Sequence, residues 1–148
     1  MRIEAESFRA LMAHGDDTLA LIEAVRHIRD GDTLCLAPRT YHFYSEDAFE
    51  LRKNISSVSD EGREINGSEN GLRCVFYLSG KKHVTIDGNG AELIFHGNVV
   101  PFYIEECEDI TIQNLSVDYA SPFFAQAAIE EADERHVLLR FDESETHC

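Results

Sequence analysis

The spacing of apolar residues changes near position 30. Asp16-Asp17-Thr18 precedes a stretch in which Leu19, Ile22, Val25 and Arg26 recur at helical spacing, so the pattern predicts an N-capped helix over about Thr18–Ile28, ended by Gly31. Beyond it the spacing is that of strands. Thr33–Ala37 reads as a buried strand stopped by Pro38, and Tyr41–Tyr44 as a second short strand. A helix placed there can cover the end of a stacked sheet. From Ser45 to Gly71 the chain turns to Asp, Glu, Ser, Asn and Gly with scattered apolar residues, which predicts a long surface excursion.

From Leu72 onward short strands follow one another: Cys74–Leu78, Val84–Gly88 and Glu92–His96, each closed by a turn signal. Phe102-Tyr103-Ile104 then lies 26 residues after Phe76-Tyr77-Leu78, and Ile110-Thr111-Ile112 lies 26 after Val84-Thr85-Ile86. Two strands recurring at one offset are the signature of stacked coils, with Ile110 and Ile112 over Val84 and Ile86 inside and Thr111 over Thr85 outside. Leu93 and Phe95 match Leu115 and Val117 best at an offset of 22, so the Asp87–Gly90 turn must absorb four residues, and Asn114 suits a left-handed bend. After Tyr119, Ala125–Ile129 and His136–Phe141 flank an acidic turn and read as a hairpin. The expected fold is therefore all-β: the N-terminal part of a right-handed parallel β-helix, a single-stranded solenoid, with a capping helix and a hairpin from an inserted β-domain. The expected divisions are a cap over 1–44, a surface loop over 45–71, the first coils over 72–120 and the start of the insertion, truncated, over 121–148.

Composition narrows the chemistry only a little. Thirteen Lys and Arg against 28 Asp and Glu leave a net charge of −15, which repels nucleic-acid phosphates and anionic membrane surfaces. Met1–Gly15 has no apolar core of signal-peptide length, and no stretch approaches a membrane span, so the chain as given reads as cytoplasmic. Cys35, Cys74, Cys107 and Cys148 lie too far apart for a metal knuckle and read as free thiols. The seven histidines show no paired ligand spacing, so no metal is expected.

The opening Asp17-Thr18-Leu19-Ala20, Gly31-Asp32-Thr33-Leu34 and Leu36-Ala37-Pro38 with Tyr41 resembles the N-terminal cap of pectin-lyase-like β-helices. Gly71-Leu72-Arg73, Val84–Gly90, Ile94–Gly97, Pro101-Phe102, Ile110–Tyr119 and Gln126 together resemble the start of the α-1,3-galactosidases of glycoside hydrolase family 110. The resemblance runs from about Asp17 to Ile129 and implies removal of terminal α-1,3-linked galactose with inversion, without a cofactor. It also implies that the catalytic aspartates lie in later coils, so none is placed in this chain. The fragment itself is expected to be inactive, with relatives often exported.

Inverting hydrolysis needs an acid and a base carboxyl on opposite faces of one sugar, roughly 6.5–9.5 Å apart. Asp87 and Asp118 are the carboxylates to weigh, and Asp87 reads as serving its Asp-Gly turn. Asp118 should face outward beside Tyr119, either toward a sugar or into solvent. His96 precedes Gly97 and can meet a sugar hydroxyl or its own loop, while Tyr103 can stack on a pyranose or join the core. Asp118, His96 and Tyr103 are thus the substrate-binding candidates, for a carbohydrate partner. Two other readings remain open: a β-helix lyase or polygalacturonase, against which the scarcity of Arg and Lys speaks, and a non-catalytic glycan-binding solenoid that self-associates through its uncapped last coil.

Overall fold

A computed structural model of the chain describes residues 1–52, 71–121 and 127–141. Strand β1 (Arg2–Glu4) and a seven-residue 3₁₀ segment (Ala5–Leu11) lead into helix α1 (Thr18–Arg26), which ends two residues before the expected Ile28. The buried stripe of α1 is Ala20, Leu21, Ile22, Ala24 and Val25, continued by Ile28, whereas Leu19 is half in solvent at 50% exposure. Two of these buried positions are alanines, which large-residue spacing did not reveal. Asp17 precedes the helix without capping it; Asp16 Oδ1 accepts the Thr18 N–H at 2.8 Å instead. Thr18 is fully buried, and its Oγ1 accepts the backbone N–H of Tyr44 at 2.9 Å.

Asp17 is committed elsewhere. Arg39 donates Nη2 to Asp17 Oδ1 at 2.8 Å, Nη1 to Asp17 Oδ2 at 3.2 Å and Nε to Glu6 Oε1 at 3.0 Å, and its guanidinium lies 3.7 Å from the Tyr41 ring centre. Tyr41 donates its hydroxyl to the same Glu6 oxygen at 2.9 Å and accepts the Ala37 N–H. Burial alone would raise the Glu6 carboxyl, but the hydrogen bonds from Tyr41, Arg39 and Arg9 outweigh it and hold it below the ordinary value. Burial pushes the Tyr41 phenol up to about 12. This satisfied network ties the 3₁₀ segment and the residue before α1 to the chain around Arg39 and Tyr41.

The remaining strands are β2 (Thr33–Cys35), β3 (Thr40–Tyr44), β4 (Phe49–Arg52), β5 (Gly71–Ser79), β6 (Lys82–His96), β7 (Val100–Glu105), β8 (Glu108–Tyr119), β9 (Ala127–Ala132) and β10 (Val137–Phe141). The long β6 is the spine of a five-stranded sheet. On one side its first half carries β2 and its second half β3; on the other lies β8, and β1 extends beyond β2, every pair parallel. A second sheet runs β4-β5-β7, and β9 pairs with β10. The expected offset of 26 holds for Phe76 opposite Phe102 and for Val84 and Ile86 opposite Ile110 and Ile112. After the bend, however, Leu93 faces Val117 and Ala91 faces Leu115, so two residues are absorbed, not four. Asn89 and Asn114 both adopt positive φ there, 50° and 57°.

The right-handed parallel β-helix expected from the repeat is not what the described residues form. They make three separate sheets, of five, three and two strands; β4–β5 and β9–β10 are antiparallel, and none of the sheets forms a solenoid. Two features account for the difference. β4 turns back along β5 and takes the edge on which a further parallel strand would lie. β2 and β3 sit directly on β6 at an offset of 52, as in Thr33 opposite Thr85 and Tyr41 opposite Leu93, with no strand between them. A repeat fixes the offset of the neighbours that do pair; it does not oblige every side to stack. The pectin-lyase-like architecture goes with it. β4 lies inside the stretch 45–71 expected to be loop, and residues 53–70, Gln126 and Cys148 fall outside the described residues.

The core is one cluster in which Leu21, Ile28, Leu36, Tyr41, Phe43, Phe76, Ile86, Leu93 and Phe95 are each at most 2% exposed. Aromatic rings stack from strand to strand within it: Phe43 on Phe95 at 4.8 Å and Phe76 on Phe102 at 4.8 Å, with Phe43 meeting Phe76 edge-on at 5.8 Å.

Candidate functional site

Paired residues share a face of a sheet, so register alone decides which candidates meet. Along the outer face of β3, β6 and β8, Thr40, Glu92 and Ser116 form one row, and His42, Ile94 and Asp118 the next, with Tyr44 and His96 beyond. His96 and Asp118 therefore lie on one surface, on adjacent strands. Tyr103 lies on the other sheet, half-buried, its ring 5.9 Å from that of Tyr77.

His96 is held on two sides. A ring nitrogen of His42, Nδ1, lies 3.0 Å from His96 Nε2, and the Tyr44 ring stacks on the His96 ring at 4.2 Å and 7°. One imidazole of such a pair must donate and the other accept, so both cannot be protonated without breaking the bond. Burial, and after it the neighbouring His42, holds the His96 imidazole below its ordinary value. A largely neutral imidazole remains, suited to exchanging a hydrogen bond with a hydroxyl. Asp118 is exposed, and its Oδ1 accepts the Tyr119 N–H at 2.8 Å.

Asp87 takes no part in this surface. It accepts hydrogen bonds from Asn114 Nδ2 at 3.0 Å, the Asn89 N–H at 2.9 Å and Gln113 Nε2 at 3.1 Å, and these partners, Asn114 foremost, hold its carboxyl below the ordinary range. It is the turn residue expected of an Asp-Gly pair. Because Asp87 faces Gln113 while Asp118 faces Ile94, the two carboxylates do not converge on one substrate bond.

Sequence reading missed His42, Tyr44 and a neighbouring cleft. The cleft, of about 470 Å³, is lined by Leu11, Ala13, His14, Asp16, Leu19, Tyr44, Glu46 and Asp47. Asp47 shares a hydrogen bond with Asp16, which raises its carboxyl above the ordinary value. The signal that could have placed His42 and Tyr44 beside His96 was present: Tyr41, Phe43 and Tyr44 precede Leu93, Phe95 and His96 by 52 residues, twice the repeat. Among the described residues no group of three His, Cys, Asp or Glu side chains converges to hold a metal ion, and no helix is long and apolar enough to cross a membrane.

No family model matches the chain. Curated relatives do. An α-1,3-galactosidase B of Bacteroides thetaiotaomicron is 30% identical over 112 residues, covering 76% of this chain and 17% of its own length. An α-1,3-galactosidase B of Akkermansia muciniphila is 31% identical over 125 residues, 83% of this chain and 14% of its own length. An α-1,3-galactosidase A of Shewanella woodyi is 30% identical over 125 residues, 82% of this chain and 19% of its own length. Over most of its sequence, then, this chain resembles the α-1,3-galactosidases, and it spans less than a fifth of the length of these relatives.

Proposed function

We propose that the chain is a portion of a glycoside hydrolase that removes terminal α-1,3-linked galactose with inversion and without a cofactor. In this reading it supplies scaffold and one wall of the sugar site, not the catalytic carboxylates. The observation that carries the proposal is the match at 30–31% identity to several enzymes named for this activity. The surface supports it in chemistry: a neutral, stacked His96 and an exposed Asp118 offer hydrogen-bond partners to sugar hydroxyls without drawing a phosphate or uronate. Asp87, locked in its turn, supports the placing of acid and base elsewhere.

Two assays test this. The product of the complete gene should release galactose from an α-1,3-galactosyl disaccharide and nothing from polygalacturonate; uronate release, or none from either, overturns the reading. The chain alone should release no galactose, yet the disaccharide should shift the NMR signals of His96 and Asp118. Shifts confined to other residues would remove these two from the site.

A further inference from the structure

His42 on β3 and His96 on β6 meet by their ring nitrogens: His42 Nδ1 lies 3.0 Å from His96 Nε2, with ring centres 5.2 Å apart and planes tilted by 38°. Both rings are half-buried, and the Tyr44 ring covers a face of His96 at 4.2 Å. Either nitrogen of the contact can donate or accept, but only one proton fits between them. A first proton taken up by the pair enters at the far nitrogen of the donor and leaves the bond in place, now charge-assisted. A second must land on the accepting nitrogen, which sets two N–H groups of two cations against each other.

The surroundings decide which ring then yields. Asp16, in the loop before α1, favours a charged His96, but burial and His42 outweigh it and hold the ring below its ordinary value. On the same outer face Glu92 accepts a hydrogen bond from Thr40, and Asp118 stands one row from His96 on β8. Asp17 accepts the backbone N–H of His42, which anchors the main chain of β3 and not the ring. Glu46, Asp47 and His14 stand with Tyr44 and Asp16 around the neighbouring cleft. Tyr44 can hold a charged His96 against its ring face, so the stack retains His96 and His42 is the ring that leaves.

We propose that the His42 ring is a proton-operated latch on Nε2 of His96, closed while the pair carries at most one added proton and open when it carries two. Closed, it commits Nε2 to β3. Open, His42 turns away about its side-chain bonds, Tyr44 stays on His96, and the Nε2–H becomes a donor for another group. Both protons come from solvent. The latch is built from β3 and β6 alone, and it stands whether or not the chain serves a galactosidase.

The test is a pH titration of the whole chain by NMR, with the amide signals of α1 reporting that it remains folded. The pair should titrate in two steps. The nuclear Overhauser contact between the two imidazoles should vanish in the second step, while that between Tyr44 and His96 persists. In His42→Gln the side-chain amide can donate to a neutral His96 or, turned over, accept from a charged one, so the contact should survive protonation. His96 should then titrate in one step, at higher pH than in the unaltered chain but still below its ordinary value, because burial is unchanged. Imidazole contact that persists with both rings charged, its loss at the first step, loss of the Tyr44 contact in its place, or unfolding before the second step overturns the proposal. So does an unshifted His96 in folded His42→Gln. If that variant does not fold, the titration of the unaltered chain decides alone.

Discussion

β6 and β8 are close to the same strand set in two environments. Each opens on a charged residue, places Val84 and Ile86 or Ile110 and Ile112 inward, bends at an Asn with positive φ, and continues with a second inward row. β6 has strands on both edges and its inward side chains are sealed; among the described residues β8 has one neighbouring strand, and its equivalents stay partly wet. Burial here is a property of the neighbour and not of the strand. A fully covered aliphatic side chain contributes about 1.5–3 kcal/mol, so the half-buried Ile110, Ile112 and Leu115 realise only part of that.

The largest expected effect tests that contrast directly. Ile86→Ala should cost about 2–5 kcal/mol in urea unfolding, as expected for a large-to-small change at a sealed site. Ile112→Ala, the same change one rung on, should cost only about 1 kcal/mol because part of the side chain is already hydrated. Equal losses would mean that the inward row of β8 is covered as well as that of β6, and the comparison would fail.

Next in size is the contact that locks the two strands together at the bend. A Cβ on Gly88 would stand 2.4 Å from Leu115 Cβ and 2.6 Å from the Asn114 carbonyl oxygen. Gly88→Ala should therefore cost about 1–3 kcal/mol through displaced backbone. At Gly90 a Cβ meets nothing within 4 Å, but φ is +86°, so Gly90→Ala should cost about 1 kcal/mol from strain alone. Unfolding of both variants, read with the exchange rates of β8 amides, sharpens the comparison: only Gly88→Ala should loosen β8.

The same bend marks where the sequence stopped being legible. The offset of 26 could be read because stacked strands repeat their large residues, Phe76 with Phe102 and Ile86 with Ile112. Past the bend the inward position opposite Leu115 is Ala91, only 1% exposed yet too small to stand out, so matching large residues gave an offset wrong by two. The antiparallel turn of β4 was hidden in four residues, Phe49–Arg52, of a polar stretch, and with it went the expectation of a solenoid. Outward orientation of Asp118 and the turn role of Asp87 were legible, since alternation and Asp-Gly chemistry are local. His42 and Tyr44 were missed although the offset of 52 was there to read, because it is twice the repeat and skips the strand that the repeat would place between them. The commitment of Asp17, within the Asp16-Asp17-Thr18 run expected to cap the helix, to Arg39 was not legible either, since nothing local announces Arg39.

The smallest expected effect compares the two sides of β6 by their histidines. On the β3 side, His96 is held below its ordinary value of about 6.5 by burial and by His42; on the β8 side, the hydrogen bond with Asp109 raises His83 above it. The pH dependences must then oppose each other. As pH falls from 8, folded His83 takes its proton before the unfolded chain does, so stability rises through the interval down to the ordinary value and then levels. Over the next interval the unfolded chain protonates His96 before the folded one does, so stability falls until the lower folded value is reached. Histidine ring titrations followed by NMR should place His83 above and His96 below the ordinary value. In unfolding measured against pH, His83→Gln should abolish the rise and His96→Gln the fall. If both histidines titrate together, the two edges of β6 differ in which strands cover them but not in the electrostatics those strands impose.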